Sequence, residues 1–189
     1  MKRIVIFASG SGTNAENLIK FFHNRENASV IQVLTNNPRA KVLDRCKNLN
    51  VSALSFNRTA FTKTTDVLDL LKNSQPDLIV LAGFLWKFPE NILAHFPNKV
   101  INVHPALLPK YGGKGMYGMH VHEAVVNNKE KETGITIHYV NEHYDEGAII
   151  FQAKCKVNIT DSAEDVAKTN HLLEIEHFPE VVKQVLFSE

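Results

Sequence analysis

Five short apolar runs alternate with amphipathic segments as far as His104, and this alternation constrains the fold more than any other feature of the chain. The runs have the length of strands: residues 3–8, 29–35, 51–56, 76–84 and 99–104. Three of the segments between them have the apolar spacing of helices: residues 15–24, 40–48 and 61–73. Strands that are apolar on both faces indicate a mostly parallel sheet with helices on both sides, so we predict an α/β fold.

The pattern changes after His104. Residues 105–122 hold four glycines and two prolines, which indicates a long loop, and long loops in compact domains are usually functional. Beyond it we predict a helix, two strands that extend the sheet in antiparallel fashion, and a C-terminal helix. The helix covers residues 121–128, and the strands cover residues 134–140 and 147–157. The C-terminal helix begins at Asp161 or Ser162 and is kinked or restarted at Pro179.

Composition and charge exclude several classes of function. The 189 residues carry a net charge of +1, which disfavours a nucleic-acid binder, and no apolar run is long enough to span a membrane. Two cysteines, Cys46 and Cys155, are too few for a disulfide framework. A glycine-rich turn follows the N-terminal apolar run, which therefore reads as a strand and not as a signal peptide. We expect a cytoplasmic protein, monomer or homodimer, that acts on small molecules and binds neither nucleic acid nor membrane.

The string VINVHPALLPKY, residues 100–111, places two polar side chains at the end of an apolar strand. Asn102 and His104 are two residues apart, so on a strand both point to the same face. Pro105 cannot donate to a sheet ladder, and we expect the strand to stop there. An amide and an imidazole held side by side at a strand tip indicate a site of chemistry.

The segment GSGTNA, Gly10 to Ala15, follows the first strand and opens the first helix. Glycines allow close approach of an anion, and the free N–H groups at a helix start bind it. The string also fits a loose dinucleotide motif, but Thr35, Asn36 and Asn37 stand where a nicotinamide site places an acidic residue. We therefore favour a monophosphate, and the other interpretation left open is a tight structural turn.

Three features end separate predicted strands of the same sheet: Gly10, Gly83 and His104. Ligands in such sheets bind beyond the carboxyl ends of the strands, so these features predict one functional edge. Asp145, in a loop beside Gly147, is either a turn residue or a carboxylate that orients His104 and favours its protonation.

Histidines are frequent in the second half, where His120, His122, His138 and His143 occur. Their spacing lacks a zinc pattern such as H-E-x-x-H, so we predict no metal site. Glu176 with His177, before Pro179, has the ordinary interpretation of a solvated helix face.

Together these motifs resemble the phosphoribosylglycinamide formyltransferases, folate-dependent enzymes of purine synthesis. The resemblance rests on FASGSGTN, LAGFLWKFP, INVHPALLPKY, ETGITIHYVNEHYDEGAII and EIEHFPEVV, in that order along nearly the whole chain. It implies a three-layer, Rossmann-like formyltransferase fold in a single domain, 1–189. Residues 1–100 would form its nucleotide- and phosphate-binding half, and residues 101–189 its catalytic and folate-binding half.

The resemblance also implies a reaction and a set of roles. The amine of glycinamide ribonucleotide would take the formyl group of 10-formyltetrahydrofolate, a co-substrate, without a metal, and the catalytic trio would be Asn102, His104 and Asp145. The implied ribonucleotide-binding residues are Gly12, Thr13 and Asn14 at the phosphate, Lys110 as a further neutralising charge, and Glu176 at the glycinamide end. The implied folate-binding residues are Leu85, Trp86, Lys87, Phe88, Asn102, Asn141, Glu142, His143, Tyr144 and Asp145.

Several alternatives remain open at this point. A formyltetrahydrofolate hydrolase or a methionyl-tRNA formyltransferase would carry a further domain, for which this chain has little room. A nucleotide-binding Rossmann module and a non-catalytic binding protein are more distant possibilities. The chain departs from the family pattern in its glycine-rich loop, 112–119, so we carry over no loop contacts from the resemblance.

Overall fold

The computed structural model describes residues 1–23 and 25–188 and shows the α/β architecture that the sequence predicts. The strands of the described residues are β1 (Lys2–Phe7), β2 (Ala28–Thr35), β3 (Ser52–Ser55), β4 (Leu78–Leu81), β5 (Val100–His104), β6 (Glu132–Tyr139) and β7 (Ile149–Lys156). The helices are α1 (Thr13–His23), α2 (Val42–Asn48), α3 (Arg58–Thr62), α4 (Asp66–Ser74), α5 (Glu90–His95), α6 (Met119–Asn127) and α7 (Ala163–Phe187).

The strands form one sheet of seven in the order β3-β2-β1-β4-β5-β6-β7. The β1, β2, β3 and β4 pairings are parallel, whereas β6 and β7 pair in antiparallel fashion. This is the predicted mostly parallel sheet with an antiparallel C-terminal extension, and the fold class is confirmed.

By its contacts the chain divides into two compact units. Unit 1 comprises residues 1–101 together with the C-terminal residues from Leu186, and unit 2 comprises residues 102–185. The predicted division of one domain into a phosphate-binding and a folate-binding half stays a prediction. Among the described residues, no helix is both long enough and apolar enough to cross a bilayer.

In unit 1 the core lies along β1, where Ile4, Val5, Ile6 and Phe7 are fully buried. The predicted apolar face of α1 is buried as well, through Leu18, Ile19 and Phe22. A strand that is apolar on both faces requires cover on both sides, which explains why this strand is central.

The helices differ from the prediction in three places. The single helix predicted over 61–73 is two helices: Asn57 caps the start of α3 through Ala60 N, and α4 begins after Thr65, whose Oγ1 donates to Asp69 Oδ2. The short helix α5 was not predicted. At Pro179 the sequence predicted a kink or a restart; the restart is wrong, because α7 runs through Pro179 as one helix, and the kink stays a prediction. Asn24, the last residue of the first predicted helix, lies outside the described residues.

The start of α7 follows the predicted capping pattern. Ser162 Oγ accepts a hydrogen bond from Asp165 N at 3.2 Å, and Ser162 N donates to Asp165 Oδ2 at 3.1 Å. Two backbone N–H groups at the helix end are thereby satisfied. Of the two predicted caps, Ser162 is the one that acts.

Candidate active site

In unit 1, the glycine-rich segment lies where the strand order reverses, between β1 and β4. Ser9 N donates to the Gly83 carbonyl at 3.0 Å, and Leu85 N donates to Ser9 Oγ at 3.0 Å. The predicted convergence of the Gly10 and Gly83 regions on one edge is confirmed. Ligands of open α/β sheets bind at such a reversal point.

The backbone of this segment is held by hydrogen bonds to its carbonyl groups. Glu16 N donates to Gly12 O at 2.8 Å, Val42 N to Gly10 O at 3.2 Å, and Arg45 Nε to Ser11 O at 2.7 Å. The Arg45 guanidinium also pairs with Glu16. With these three carbonyls satisfied inside the unit, the segment is fixed at the positive end of α1, a favourable place for an anion.

Gly12 is the position in this segment that no other residue fills easily. Its φ is 74°, in the left-handed region, and a Cβ there would collide with the side chain and Cα of Val42. By contrast, a Cβ on Gly10 would meet nothing within 4 Å. Thr13 is half-buried and Asn14 is buried at the start of α1.

The predicted folate segment Leu85 to Phe88 divides into packing and exposed residues. Phe88 is buried, with its ring centroid 5.2 Å from that of Phe7, and the Trp86 ring lies 6.1 Å from Phe61. Lys87 is exposed and forms an ion pair with Glu90 at 3.7 Å. Leu85 is half exposed, so it is the apolar side chain of this segment that is open to a ligand.

In unit 2, His104 ends β5 with only 3% of its surface exposed. Its Nε2 lies 2.7 Å from the carbonyl oxygen of Tyr111. Because a carbonyl only accepts, Nε2 must carry the hydrogen, and Nδ1 is the nitrogen left for chemistry. His104 Nδ1 lies 3.7 Å from Asp145 Oδ1.

Asp145 is held in place from its other side. Its Oδ2 accepts a hydrogen bond from Gly113 N at 2.9 Å, and its backbone is left-handed, with φ 57°. Gly147 allows the loop to close here, because a Cβ would overlap the Tyr139 carbonyl. The structure thus brings Asp145 next to His104. Of the two interpretations of Asp145 from the sequence, a turn residue or a partner of His104, this placement agrees with the second.

Asn102 contacts a histidine that the sequence analysis did not place in the site. Asn102 Nδ2 lies 3.1 Å from His138 Nε2, and His138 Nδ1 lies 2.8 Å from the Tyr139 carbonyl. The carbonyl requires a hydrogen on Nδ1, so Nε2 of the neutral ring accepts from Asn102. His138 Nε2 also lies 3.7 Å from Asp145 Oδ1, so one carboxylate serves two imidazoles.

The surroundings of His138 lower its pKa and so favour the neutral ring. Burial lowers its pKa, and the neighbouring His104 lowers it further, against opposing effects of the Tyr139 carbonyl and Asp145. The sequence contains a signal for this residue. Thr136 and His138 are two residues apart on β6 and alternate with Ile135 and Ile137, so the two polar side chains lie on the same face of the strand.

The chain leaving β5 is anchored by side chains from three elements. Thr136 Oγ1 donates to Ala106 O at 2.6 Å and accepts from Leu108 N at 3.0 Å. Gln152 Nε2 donates to Leu108 O, and Asn170 Nδ2 donates to Pro105 O. The backbone beyond His104 is therefore fixed in the direction that returns the Tyr111 carbonyl to the imidazole.

The remaining predicted residues of unit 2 lie at the surface. Lys110 is paired with Glu130 at 2.9 Å, and Glu176 is exposed on α7. In the loop before Asp145, Asn141 Oδ1 accepts from His143 N, and the exposed residues of the loop are Glu142, His143 and Tyr144.

The other histidines are dispersed. His120 pairs with Glu123 on the exposed side of α6, and His122 is buried, which lowers its pKa. In the part of the chain that the structure describes, no three His, Cys, Asp or Glu side chains are grouped to hold a metal ion.

Comparison with known proteins gives a consistent set of matches. Residues 2–182 match the model of the formyl transferase family. The chain is 32% identical to phosphoribosylglycinamide formyltransferase of Bacillus subtilis, over 98% of this chain and 95% of that protein. It is 33% identical to the chloroplastic phosphoribosylglycinamide formyltransferase of Arabidopsis thaliana over 88% of this chain, but spans only 59% of that relative's length.

A solved structure matches equally well. The crystal structure of phosphoribosylglycinamide formyltransferase from Bacillus halodurans superimposes with a TM-score of 0.89 at 31% identity. The match covers 99% of this chain and 96% of that one.

Proposed function

The chain belongs to the phosphoribosylglycinamide formyltransferases, within the formyl transferase family, and on this premise we propose that it transfers a formyl group to the amine of glycinamide ribonucleotide. The donor is 10-formyltetrahydrofolate, and the products are formylglycinamide ribonucleotide and tetrahydrofolate, a step of purine synthesis. The observation that carries the proposal is the meeting of Asn102, His104 and Asp145 at the end of β5, with their orientations set by hydrogen bonds.

The reaction needs hydrogen-bond donors at the formyl oxygen. When the amine attacks the formyl carbon, a C–N bond forms and negative charge grows on that oxygen until the bond to the folate nitrogen breaks. Asn102 has two amide hydrogens, and His138 takes only one of them. The other donates to the oxygen, together with His104 once its Nδ1 carries a proton.

Asp145 supports the charge and the proton transfer. Its Oδ1 lies beside both imidazoles, but the neutral His138 leaves its negative charge to balance His104. The attacking amine must lose a proton and the departing folate nitrogen must gain one. Asp145 mediates this transfer. General acid–base catalysis of this kind typically raises the reaction rate by about 10²–10⁴-fold.

The binding roles are assigned by carry-over and supported by the local geometry. Gly12, Thr13 and Asn14 hold the phosphate at the start of α1, where the backbone is fixed and the helix end is positive. Glu176 binds the glycinamide end. Lys110 is the weakest member of this set, because Glu130 already neutralises its ammonium.

The folate roles follow the same logic. Leu85 offers exposed apolar surface to the pterin, with Trp86, Lys87 and Phe88 shaping the segment, and the loop from Asn141 to Asp145 supplies polar contacts. The reaction takes place in the cytoplasm, and the chain acts as a monomer or homodimer without a metal.

The test is an absorbance assay with a 10-formyl folate analogue in the presence and absence of glycinamide ribonucleotide. We expect deformylated folate to appear only when the ribonucleotide is present, with formylated ribonucleotide identified by mass. Release of formate without the ribonucleotide would indicate a hydrolase instead. No turnover with intact binding of both substrates would indicate a binding protein.

A further inference from the structure

We propose that the Tyr111 side chain is a positioning device for His104, a role that rests on the proposed function at this site. Its hydroxyl, held by Glu130 and Asn128, keeps the Tyr111 backbone turned so that its carbonyl faces His104 Nε2. This contact selects the tautomer of His104 that presents Nδ1 to Asp145 and the reacting atoms.

The Tyr111 backbone adopts an uncommon conformation. Its φ of 57° lies in the left-handed region, which an aromatic residue with a Cβ rarely adopts. A conformation of this kind persists only when the surroundings hold it. Gly112 follows directly, and a Cβ there would crowd Leu108 and Asp145, so the next residue contributes to the same tight geometry.

Two hydrogen bonds tether the far end of the Tyr111 side chain. Tyr111 OH donates to Glu130 Oε1 at 2.9 Å and accepts from Asn128 Nδ2 at 3.0 Å. Lys110 Nζ donates to the same Glu130 oxygen at 2.9 Å. Hydrogen bonds from Lys110 and Tyr111 lower the pKa of Glu130, so the tether has a permanently ionised acceptor at neutral pH. Charge-assisted bonds of this kind are stronger than neutral ones.

The Tyr111 carbonyl determines which nitrogen of His104 carries the hydrogen. A neutral imidazole carries its hydrogen on either nitrogen, and the partner of one nitrogen fixes the state of the other. With Nε2–H bonded to the Tyr111 carbonyl at 2.7 Å, the lone pair is on Nδ1, 3.7 Å from Asp145 Oδ1. If the carbonyl turned away, the hydrogen of the neutral ring could occupy Nδ1 instead, and the proton that charges the ring before Nδ1 donates to the formyl oxygen could then not be taken up at Nδ1.

The experiment compares variants of the tether with a matched control. Tyr111→Phe removes only the hydroxyl, and Glu130→Ala removes its acceptor. Glu130→Gln keeps an acceptor oxygen and serves as the conservative rescue. Tyr117→Phe is the control, since Tyr117 lies in the same loop with 47% of its surface exposed. For each protein we would record kcat, KM for both substrates, and the ¹⁵N shifts of the His104 ring at alkaline pH, assigned by comparison with His104→Gln.

We expect Tyr111→Phe and Glu130→Ala to lower kcat about 10-fold, the equivalent of one lost hydrogen bond of this type, with both KM values within about twofold. In these two variants the ¹⁵N shifts should move from the pure Nε2–H pattern towards an average of both tautomers. Glu130→Gln, which keeps an acceptor oxygen but loses the charge, should lie between Glu130→Ala and wild type in both measurements, and Tyr117→Phe should resemble wild type.

An unchanged kcat or unchanged ¹⁵N shifts in both tether variants would overturn the proposal. A loss of thermal stability alone, with wild-type shifts, would show that the tether is merely structural and would overturn it too. If the wild-type protein transfers no formyl group, the proposed function fails, but the ¹⁵N shifts still decide whether Tyr111 selects the tautomer.

Discussion

Asn102 donates a hydrogen bond from Nδ2 to Nε2 of His138 over 3.1 Å, so the amide of the candidate site is oriented by a neutral imidazole. This direction holds for the neutral ring, because His138 Nδ1 then donates to the Tyr139 carbonyl and Nε2 carries no hydrogen. One amide hydrogen of Asn102 is thereby fixed and the other is left to donate to substrate. Protonation of His138 would remove this acceptor and release the amide.

The free energy of unfolding should fall as the pH drops below the ordinary imidazole pKa of 6.5. Burial lowers the pKa of His138, so in the window between that value and the lower native pKa the unfolded chain binds a proton that the native protein does not. The contribution of the neutral His138 to the free energy of unfolding is therefore complete above pH 6.5, and it is lost as the pH falls through the lower native pKa. Burial of His122 contributes with the same sign.

Urea unfolding at a series of pH values checks this prediction. His138→Gln retains an acceptor for Asn102 but cannot titrate, so its stability should depend less steeply on pH than that of wild type. His122→Gln should reduce the slope independently. Wild-type slopes in both variants would show that neither buried imidazole determines the acid sensitivity.

Asp145→Asn should lower kcat by about 10² while the protein stays folded. Asn is well tolerated in the left-handed conformation that this residue adopts, and its Oδ1 can still accept from Gly113 N. Its NH₂ group then faces the imidazoles without a negative charge to balance His104. Steady-state kinetics with circular dichroism as a folding check would measure this, and near-normal turnover would remove Asp145 from the mechanism.

Gly12→Ala should destabilise the protein by about 2 kcal/mol or more, because the left-handed φ and the collision with Val42 add to each other. Gly10→Ala is the matched control in the same segment. A Cβ there meets open space, so its stability should lie within about 0.5 kcal/mol of wild type. Equal unfolding midpoints in urea for the two variants would contradict this account of the segment.

The sequence predicted the frame of the molecule well, since apolar runs and their alternation with helices follow directly from burial. Strands β1 and β2, the apolar face of α1 and the Ser162 cap all appear where these patterns placed them. The boundary between α3 and α4 was missed because the apolar spacing continues across it, whereas the Asn57 cap and the Thr65–Asp69 bond at the two helix starts leave no mark on that spacing. The family resemblance and the transferase class are confirmed by the comparisons.

The candidate site was predicted only in part. Asn102 and His104 follow from strand periodicity, and the Asp145 pairing became visible with the fold. The roles of His138 and Tyr111 could not be predicted, because they depend on which ring nitrogen faces which carbonyl. Such contacts arise when distant loops close, and the alternate polar positions Thr136 and His138 on β6 indicate the face on which His138 lies but not its partners.

The most direct test of the central claim is the steady-state rate of formyl transfer by His104→Ala, beside wild type and the exposed-histidine control His95→Ala. Removal of the imidazole takes away a donor to the formyl oxygen, so kcat should fall by about 10² or more with folding intact. His95→Ala should match wild type. A folded His104→Ala protein with near-normal, ribonucleotide-dependent turnover would contradict the proposed mechanism.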